Sequence, residues 1–378
     1  MYVTRSDTKK VKTLIPVLAV LFLLTGGRIV SSAQSAVFPC KGGVTASVDG
    51  GDAYYFITND IHELQSCIAR TDKNLEGQSW REIPFRGLAL GIYGREMLAA
   101  GIGKNDENDE KRLGFYKQKD NTLEFFELYR QSLGRVLAAA KAADFGLIVC
   151  YEKEGDLFKT HVATFKHGGS NFGKCKAPLH FSLIENPSCI IPVPSSEIFF
   201  VTLDREPGKQ LPISRFNADC VLLETRLLEE LLPDAPSMNT LSGRALTKDS
   251  LLLWGIVEPA QWWFGVYDIR KNAVLKTAVV TPGDGIMPAL IYDVAVLKDG
   301  RLCLCTPAVL FLLNADFAPE SYWTAWPGGE TPPPGYNALS ITEDGNLLVM
   351  GSSIVERSGQ AAVWLVRPQD FQPLPAEY

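Results

Sequence analysis

The sequence of 378 residues lacks the features that mark several large classes of protein. It has only four histidines and contains no run of about 20 apolar residues of the kind that crosses a bilayer as a helix. Its 37 lysines and arginines are outnumbered by 43 aspartates and glutamates, which gives a formal net charge of −6. Because nucleic-acid-binding domains normally carry a basic surface, this balance argues against a nucleic-acid partner.

The short motifs that identify common catalytic sites are also missing. There is no G-x-S-x-G nucleophile elbow, no P-loop and no G-x-G-x-x-G that opens a helix. His161, His167 and His180 lie near Cys175, but their spacing fits no common zinc site. The acidic run Asp106–Glu110 lacks the glycine and the final glutamate of an EF-hand loop. No catalytic residue, metal ligand or cofactor is therefore predicted, and calcium is the only cofactor left open.

The first 35 residues have the pattern of a secretory signal peptide. Several lysines and arginines precede the apolar run Leu14–Leu24, and small residues follow around Ser31–Ser35. A run of 11 apolar residues is too short for a bilayer span, which needs roughly 20. We therefore expect residues 1–35 to be removed and the mature chain to be exported, either periplasmic or secreted. An uncleaved signal would be its only attachment to a membrane.

The eight cysteines are compatible with disulfides in an exported chain. Cys175 and Cys189 would close a short loop, and we predict this pair as the disulfide. Cys303 and Cys305 lie two residues apart on one predicted strand, so both side chains face the same side. A bond between them would be difficult to form, and we interpret them as small core residues.

One pattern recurs through the rest of the chain. In Ala338–Ser352, an apolar run is followed by the turn residues Asp344 and Gly345 and then by a second apolar run. Two β-rich runs joined by Asp-Gly predict a hairpin. Asp293–Pro307 and Gly243–Val257 repeat the pattern. Aligned on the second strand, seven repeats follow one another at intervals of 42 to 53 residues, and they start at Tyr54, Glu96, Gly146, Ile198, Leu251, Arg301 and Asn346.

A repeat of 40–50 residues made only of strands is typical of a propeller blade. We predict an all-β fold, a single seven-bladed β-propeller of four-stranded antiparallel blades over residues 36–378. The blades are expected near 44–83, 84–128, 136–183, 190–231, 243–280, 293–327 and 338–374. In each blade the inner strands should be apolar on both faces, and the outer strand, which faces solvent, should be the most polar.

Two structural points stay open at this stage. Either Ala36–Cys40 or the tail Phe371–Tyr378 could complete the last blade and close the ring. The segment Leu222–Leu232 has the spacing and the helix propensity of a helical insertion, but it also occupies the place of an outer strand.

A short segment, Gly77–Trp80, resembles the end of the aspartate box S-x-D-x-G-x-T-W of sialidase-type propellers. Leu75 stands where that box has its aspartate, and the nearest aspartate is Asp72. In that family the box is a turn that stabilises the fold, so the resemblance implies a turn and no catalytic role. More broadly, the mature region resembles the generic, WD40-like β-propeller repeat superfamily.

The loops after the second strands are long, as in Lys104–Arg112, whereas the turns on the opposite rim have two to four residues. Variable loops on a rigid scaffold often carry binding sites, so we expect the ligand at the long-loop rim. Trp262, Trp263 and Trp326 fall there by register and are candidate anchors for a sugar or a protein. The alternative is that these tryptophans fill gaps between blades.

The predicted function is an exported binding or scaffold module for a protein or carbohydrate ligand, without evident catalysis. The alternative is a propeller hydrolase of the glycosidase or lactonase type. Such an enzyme would need an acidic or metal site at the mouth of the channel, where Asp60, Asp204 and Glu258 fall by register. The absence of a regular tryptophan-bearing blade signature argues against a quinone-cofactor enzyme.

Overall fold

The computed structural model describes residues 33–374 apart from several short segments. The segments outside the description are 60–65, 94–95, 105–110, 120–121, 132–134, 143–145, 154–158, 166–173, 179–186, 204–210, 239, 258–260, 282–289, 327–332 and 356–357. The described strands form seven antiparallel sheets, one for each predicted repeat. The chain is therefore a seven-bladed β-propeller, as predicted. Over these residues, no helix combines the length and the apolar character needed to cross a membrane.

The first four blades follow an initial strand, β1 (Gln34–Lys41). Blade 1 contains β2 (Gly43–Asp49), β3 (Ala53–Asn59), β4 (Ser66–Asp72) and β5 (Ser79–Ile83). Blade 2 contains β6 (Phe85–Tyr93), β7 (Glu96–Lys104), β8 (Lys111–Gln118) and β9 (Phe125–Gln131). Blade 3 contains β10 (Arg135–Ala142), β11 (Gly146–Lys153), β12 (Lys159–Phe165) and β13 (Lys174–Pro178). Blade 4 contains β14 (Pro187–Pro192), β15 (Ile198–Leu203), β16 (Pro212–Asn217) and β17 (Leu222–Leu227), and a short helix α1 (Leu228–Leu231) follows.

The last three blades complete the ring. Blade 5 contains β18 (Ser242–Thr247), β19 (Ser250–Val257), β20 (Gln261–Asp268) and β21 (Ala273–Val280). Blade 6 contains β22 (Asp293–Val296), β23 (Leu302–Cys305), β24 (Leu310–Leu313) and β25 (Pro319–Trp323). Blade 7 contains β26 (Gly335–Ile341), β27 (Leu347–Val355) and β28 (Ser358–Val366), after which a 3-10 turn and β29 (Gln372–Pro373) end the described chain.

The core lies between neighbouring blades. Middle strands are apolar on both faces because each face packs against another blade; all four residues of β23 are buried, for example. Between blades 5 and 6, Trp254 and Phe264 pack with Leu304 and Phe311 in one buried cluster. First strands of neighbouring blades contact one another, for example β2 with β6 and β10 with β14, which places the first strands at the centre of the ring. Each blade is thus held mainly by apolar contacts with its two neighbours.

The ring is closed by the beginning of the chain. Strand β1 pairs antiparallel with β28, with Gln34 opposite Leu365, and so supplies the outer strand of blade 7. Of the two possibilities left open by the sequence, the one with Ala36–Cys40 is therefore correct. The tail instead belongs to blade 6, where β29 pairs with β25 and forms a fifth strand.

A disulfide between Cys40 and Cys67 joins this closing strand to β4 of blade 1. The predicted bond between Cys175 and Cys189 is wrong, since the thiol of Cys189 is free and donates a hydrogen bond to the Gly243 carbonyl at 3.3 Å. Cys175 lies on the outer strand of blade 3 and Cys189 on the inner strand of blade 4. Three strand spacings, roughly 14 Å, separate those radial positions, which is too far for a bridge. Cys303 and Cys305 are buried core residues, as expected.

The segment Leu222–Leu232 combines the two structures that its sequence left open. Its first half is the outer strand β17, and the short helix α1 follows immediately. Within β17 the side chains face the neighbouring blades and solvent, while Leu228 of the helix is buried. The helical pattern of leucines therefore reflects a strand-to-helix junction.

A repeated turn, not recognised from the sequence, joins the third and fourth strands of several blades. A side-chain oxygen accepts hydrogen bonds from the backbone N–H groups two and four residues later. The residue three positions later is buried and has a positive φ. The pairs are Asp72 with Leu75, Asn217 with Cys220, and Asn314 with Phe317. The segment that resembles the aspartate box, Gly77–Trp80, directly follows such a turn, in which Asp72 supplies the side-chain oxygen, and its last two residues begin β5.

These buried turn residues fasten each blade to the one before it. The ring of Phe317 in blade 6 stacks on Phe264 of blade 5, with centroids 5.3 Å apart. Cys220 of blade 4 reaches Thr164 of blade 3, at 3.5 Å between the sulfur and the hydroxyl oxygen. The turn thus adds a contact between blades at the outer part of the ring.

Candidate functional site

The predicted acidic residues lie outside the described residues. Asp60, Asp204 and Glu258 belong to segments after the second strands of blades 1, 4 and 5, which the structure does not describe. Their role at the channel mouth stays a prediction. The segment Asp106–Glu110, where calcium was left open, also lies outside the description.

Trp262 and Trp263 are not exposed on the rim. Both side chains are only 1% exposed, because β20 begins at Gln261 and carries them into the blade. Trp262 faces blade 6, with its ring centroid 5.4 Å from that of Phe311, and Trp263 packs in the cluster between blades 4 and 5. The expectation that they form an exposed aromatic surface is wrong, and they fill the gaps between blades. Trp326 follows blade 6 and is half-buried.

Among the described residues, one ion pair on the inner wall of the ring links three blades. Arg244 on β18 approaches Asp293 on β22, at 3.8 Å between Nη1 and Oδ1. The same guanidinium donates to the Val294 carbonyl at 2.7 Å and to the Leu339 carbonyl at 3.5 Å. Asp293 Oδ2 accepts from the backbone N–H of Leu339 on β26 at 2.9 Å. Four polar contacts therefore join the inner strands of blades 5, 6 and 7.

This ion pair serves the structure of the ring. Both oxygens of Asp293 are used, since Oδ1 also accepts from the backbone N–H of Val294 at 2.8 Å. The neighbouring thiol of Cys189 is partly buried, and this burial raises its pKa to about 11, which makes it a weak nucleophile at neutral pH. Over the described part of the chain, no group of three or more His, Cys, Asp and Glu side chains is arranged to hold a metal ion. The arrangement fixes the inner strands of three blades and engages both oxygens of its one carboxylate.

The most unusual surface lies on the outside of the ring. Among the described side chains, seven large hydrophobic residues are exposed, and six of them fall between residues 221 and 292. Three of them belong to the outer strands of adjacent blades: Leu223 (47% exposed) on β17, and Leu275 (54%) and Val279 (49%) on β21. A fourth, Val221 (54%), lies immediately before β17, and we call these four residues the blade 4–5 flank. Leu290 and Tyr292, in the connection to blade 6, are exposed in the same sector of the ring.

Leu223 and Leu275 occupy equivalent places in their blades. Each is the extra residue of a β-bulge in the outer strand, between Glu224 and Leu222 in blade 4 and between Lys276 and Val274 in blade 5. A bulge changes the direction of one side chain, and here it turns a leucine toward solvent. The expectation that outer strands are the most polar therefore fails in blade 5, where β21 exposes two large apolar side chains.

The blade 5 part of this flank has a signal in the sequence. The segment that forms β21, AVLKTAVV, contains a single charged residue and no proline, whereas each of the other outer strands contains a proline or at least two charged residues. Using this signal requires the outer strands to be assigned first. The sequence of β21 therefore indicates an apolar outer strand, in contrast to the general expectation that every outer strand is polar.

Comparison with known proteins gives no family. No protein-family model matches the sequence, and no curated protein matches it. Among solved structures, the chain is similar to the Dos1 propeller, with 12% identity, a TM-score of 0.49, and coverage of 84% of this chain and 75% of that one. It is also similar to the GH93 α-L-arabinofuranosidase of Fusarium graminearum, solved with arabinobiose, with 13% identity, a TM-score of 0.49, and coverage of 90% and 98%. BamB from Moraxella catarrhalis shows 11% identity, a TM-score of 0.47, and coverage of 87% and 83%. Nothing about the activity of the chain follows from similarities at this level.

Proposed function

We propose that the protein is an exported β-propeller that serves as a binding module for another protein. The observation that carries the proposal is the blade 4–5 flank. Single exposed apolar residues are normal on a soluble protein, whereas a group of them on one surface marks an interaction site. Leu223, Leu275 and Val279 on the outer strands of two adjacent blades, with Val221 immediately before one of these strands, are each about half-exposed, and we interpret them as such a group.

Two further observations favour a protein over a carbohydrate ligand. Carbohydrate sites commonly present an aromatic face, and Trp262 and Trp263 are buried between blades. The flank, in contrast, is made of valine and leucine, whose aliphatic surface suits apolar side chains of a partner. Its solvent-exposed position on the outside of the ring also suits a large ligand.

The hydrolase alternative is less well supported by the inner wall. General acid–base catalysis needs a carboxyl group that can exchange a proton with substrate. Asp293 is held by Arg244 and by two backbone N–H groups, so its oxygens are engaged within the fold. The acids proposed for a hydrolase therefore remain Asp60, Asp204 and Glu258, which lie outside the described residues.

The disulfide supports the proposed export. Bonds such as Cys40–Cys67 form and persist in oxidising compartments and are rare in a reducing cytosol. The bond agrees with the signal-like pattern of residues 1–35. Both observations are consistent with a mature chain that works outside the cytoplasm.

Site-specific photo-crosslinking tests the proposal. Benzoylphenylalanine replaces Leu223, Leu275 or Val279 in the full chain, produced in cells that naturally make the protein. The matched control positions are Arg81 and Glu127, which are exposed on the outer strands of blades 1 and 2. We expect protein adducts from the flank positions at a yield at least fivefold above the controls.

Three outcomes would overturn the proposal. The first is an equal yield of adducts all around the ring. The second is turnover of aryl glycosides or lactones by the purified protein that is lost in Asp60→Asn, Asp204→Asn or Glu258→Gln, which would establish the hydrolase instead. The third, with the same crosslinker at the exposed Asn337 on the inner strand β26, is adducts from that position alone, which would move the site to the channel.

A further inference from the structure

The outer edges of the seven blades are protected to different degrees. The unpaired edge of a strand offers backbone N–H and C=O groups to any other extended chain, and proteins protect such edges with charges, proline or a covering segment. Six of the outer strands carry a proline or at least two charged residues. These are β1 with Pro39, β5 with Arg81 and Glu82, β9 with Glu127 and Arg130, β13 with Lys174, Lys176 and Pro178, β17 with Glu224 and Arg226, and β25 with Pro319 and Glu320.

Strand β21 is the exception. It is eight residues long, Ala273–Val280, and contains neither proline nor any charged residue besides Lys276. Within the described residues nothing pairs with its outer edge. Its single bulge lies at Leu275, near the start, so Lys276–Val280 is a regular run beyond the bulge. A long, apolar and regular edge of this kind is a template for strand addition.

The one charge on β21 is turned away from the edge. Lys276 Nζ donates to the Asp316 carboxylate and to the Ala315 carbonyl, both at 2.6 Å, on the neighbouring blade 6. Its ammonium group also lies 5.2 Å from the ring centroid of Phe317. Lys276 therefore stabilises the contact between blades 5 and 6. Its charge does not protect the outer edge of β21 against pairing, as the charge of an unpaired lysine would.

Blade 6 shows that an outer edge in this ring can accept another strand. There β29 pairs antiparallel with β25, with Pro373 opposite Ser321 and Gln372 opposite Tyr322. The pairing lies beyond the bulge of β25, and Leu374 packs against the core between blades 5 and 6. The equivalent position on blade 5 is open in the described structure.

We propose that β21 binds an extended segment of the partner protein as a fifth, antiparallel strand of blade 5. The proposal rests on the proposed function and specifies its binding mode. Backbone hydrogen bonds to Lys276–Val280 provide the affinity, and the exposed Leu275 and Val279 select apolar side chains at alternating positions of the added strand. The segment that fits is about five residues long, rich in β-branched residues and poor in charge, because a charge on it would lie against the apolar flank.

Hydrogen exchange measured by mass spectrometry with a model peptide tests this mode. The probe is an eight-residue peptide of alternating threonine and valine with a lysine at each end, added to the full-length mature protein. We expect exchange of the amides in Lys276–Val280 to slow at least tenfold at saturation, while exchange in β5 stays unchanged. The variant Val279→Lys adds the kind of charge that the other edges carry, and it should weaken peptide binding at least tenfold.

Leu223→Lys is the matched control, since Leu223 is exposed to a similar extent on the neighbouring outer strand. It should bind the peptide within twofold of the unmodified protein, because β17 is not the strand that is extended. Equal losses in the two variants would overturn the assignment to β21. Unfolding midpoints of both variants within about 2 °C of the parent exclude misfolding as the cause.

The outcomes separate the two proposals. Flank crosslinks without protection of Lys276–Val280 by the peptide would overturn strand addition and leave the binding module standing. The absence of flank crosslinks would overturn the binding module itself. Protection that rises with protein concentration in the absence of peptide, together with a dimer in sedimentation, would overturn a partner strand in favour of a second copy of this chain.

Discussion

Blades 5 and 7 have the same four-strand plan but are completed in different ways. Blade 5 takes all four strands from one continuous stretch, Ser242–Val280, and its outer edge is open in the described structure. Blade 7 takes three strands from the end of the chain and its outer strand, β1, from near the beginning. A disulfide then fastens that strand to blade 1.

The two blades differ because their outer strands pair with partners at different separations in the sequence. A strand that is contiguous with its hairpin partner is held close by a short turn, whereas β1 must be brought to β28 across nearly the whole chain, at a larger cost in conformational entropy. Blade 7 therefore needs reinforcement by a covalent bond and by the buried side chains of Ala36, Phe38 and Cys40. Blade 5 is stable without its outer edge being covered, and that edge is free for another use.

The largest expected effect concerns the inner part of blade 5. Trp262→Ala removes a side chain that is 1% exposed and faces Phe311, and we expect it to lower the free energy of unfolding by about 3–5 kcal/mol. Urea unfolding of the mature protein measures this loss. Trp80→Ala on the outer strand of blade 1, where the side chain is 42% exposed, is the control and should cost less than about 1 kcal/mol. Equal losses would mean that Trp262 is not a residue of the core.

The next effect concerns the closure of blade 7. The disulfide encloses a sequence separation of 27 residues, and on the chain-entropy model its removal should cost about 3–4 kcal/mol. The double variant Cys40→Ala, Cys67→Ala is compared with the parent protein by urea unfolding, with and without reducing agent. The reducing agent should destabilise the parent and leave the double variant unchanged. A parent protein that is insensitive to reduction would contradict the role of the bond in closure.

Much of the fold could be predicted from the sequence because it depends on local patterns. Apolar runs joined by Asp-Gly turns specify hairpins, and the second strands start within one residue of their expected positions; β23, for example, begins at Leu302 where Arg301 was expected. The closure of the ring is a long-range pairing, and Ala36–Cys40 and the tail offered similar short segments for it. Only the three-dimensional arrangement decides between them.

The site was harder to predict because it depends on radial position in a blade. The tryptophans were placed in a loop, but β20 starts early enough to bury them between blades. The two cysteines are near in sequence, yet one lies on an outer strand and the other on an inner strand. The ion pair of Arg244 and Asp293 joins residues 49 positions apart that no local pattern connects. In a propeller the strands recur at regular intervals along the chain. The direction in which each side chain points depends, in contrast, on bulges and on where each strand begins and ends.

A smaller effect tests the turn inside blade 7. Gly345 has φ of +84°, a conformation that costs a β-branched residue more than about 1 kcal/mol, so Gly345→Val should destabilise the protein by at least that amount. Gly300→Val, at the matching turn of blade 6 with φ of +86°, should behave alike. Gly359→Val is the control, because Gly359 lies in a strand, has no positive φ and has open space where a Cβ would stand. An unchanged thermal midpoint for Gly345→Val would contradict the turn.

The smallest expected effect on stability comes from the outer edge of blade 5. Leu275→Lys replaces an exposed side chain at a bulge, and we expect the free energy of unfolding to change by less than about 0.5 kcal/mol. Thermal unfolding measures this, with Leu223→Lys as the matched variant on blade 4. A loss of several degrees would show that Leu275 is packed within the ring. If stability is unchanged while photo-crosslinking from Val279 is lost, the apolar edge contributes to binding and not to folding, in contrast to the outer strand of blade 7, where Phe38 is fully buried.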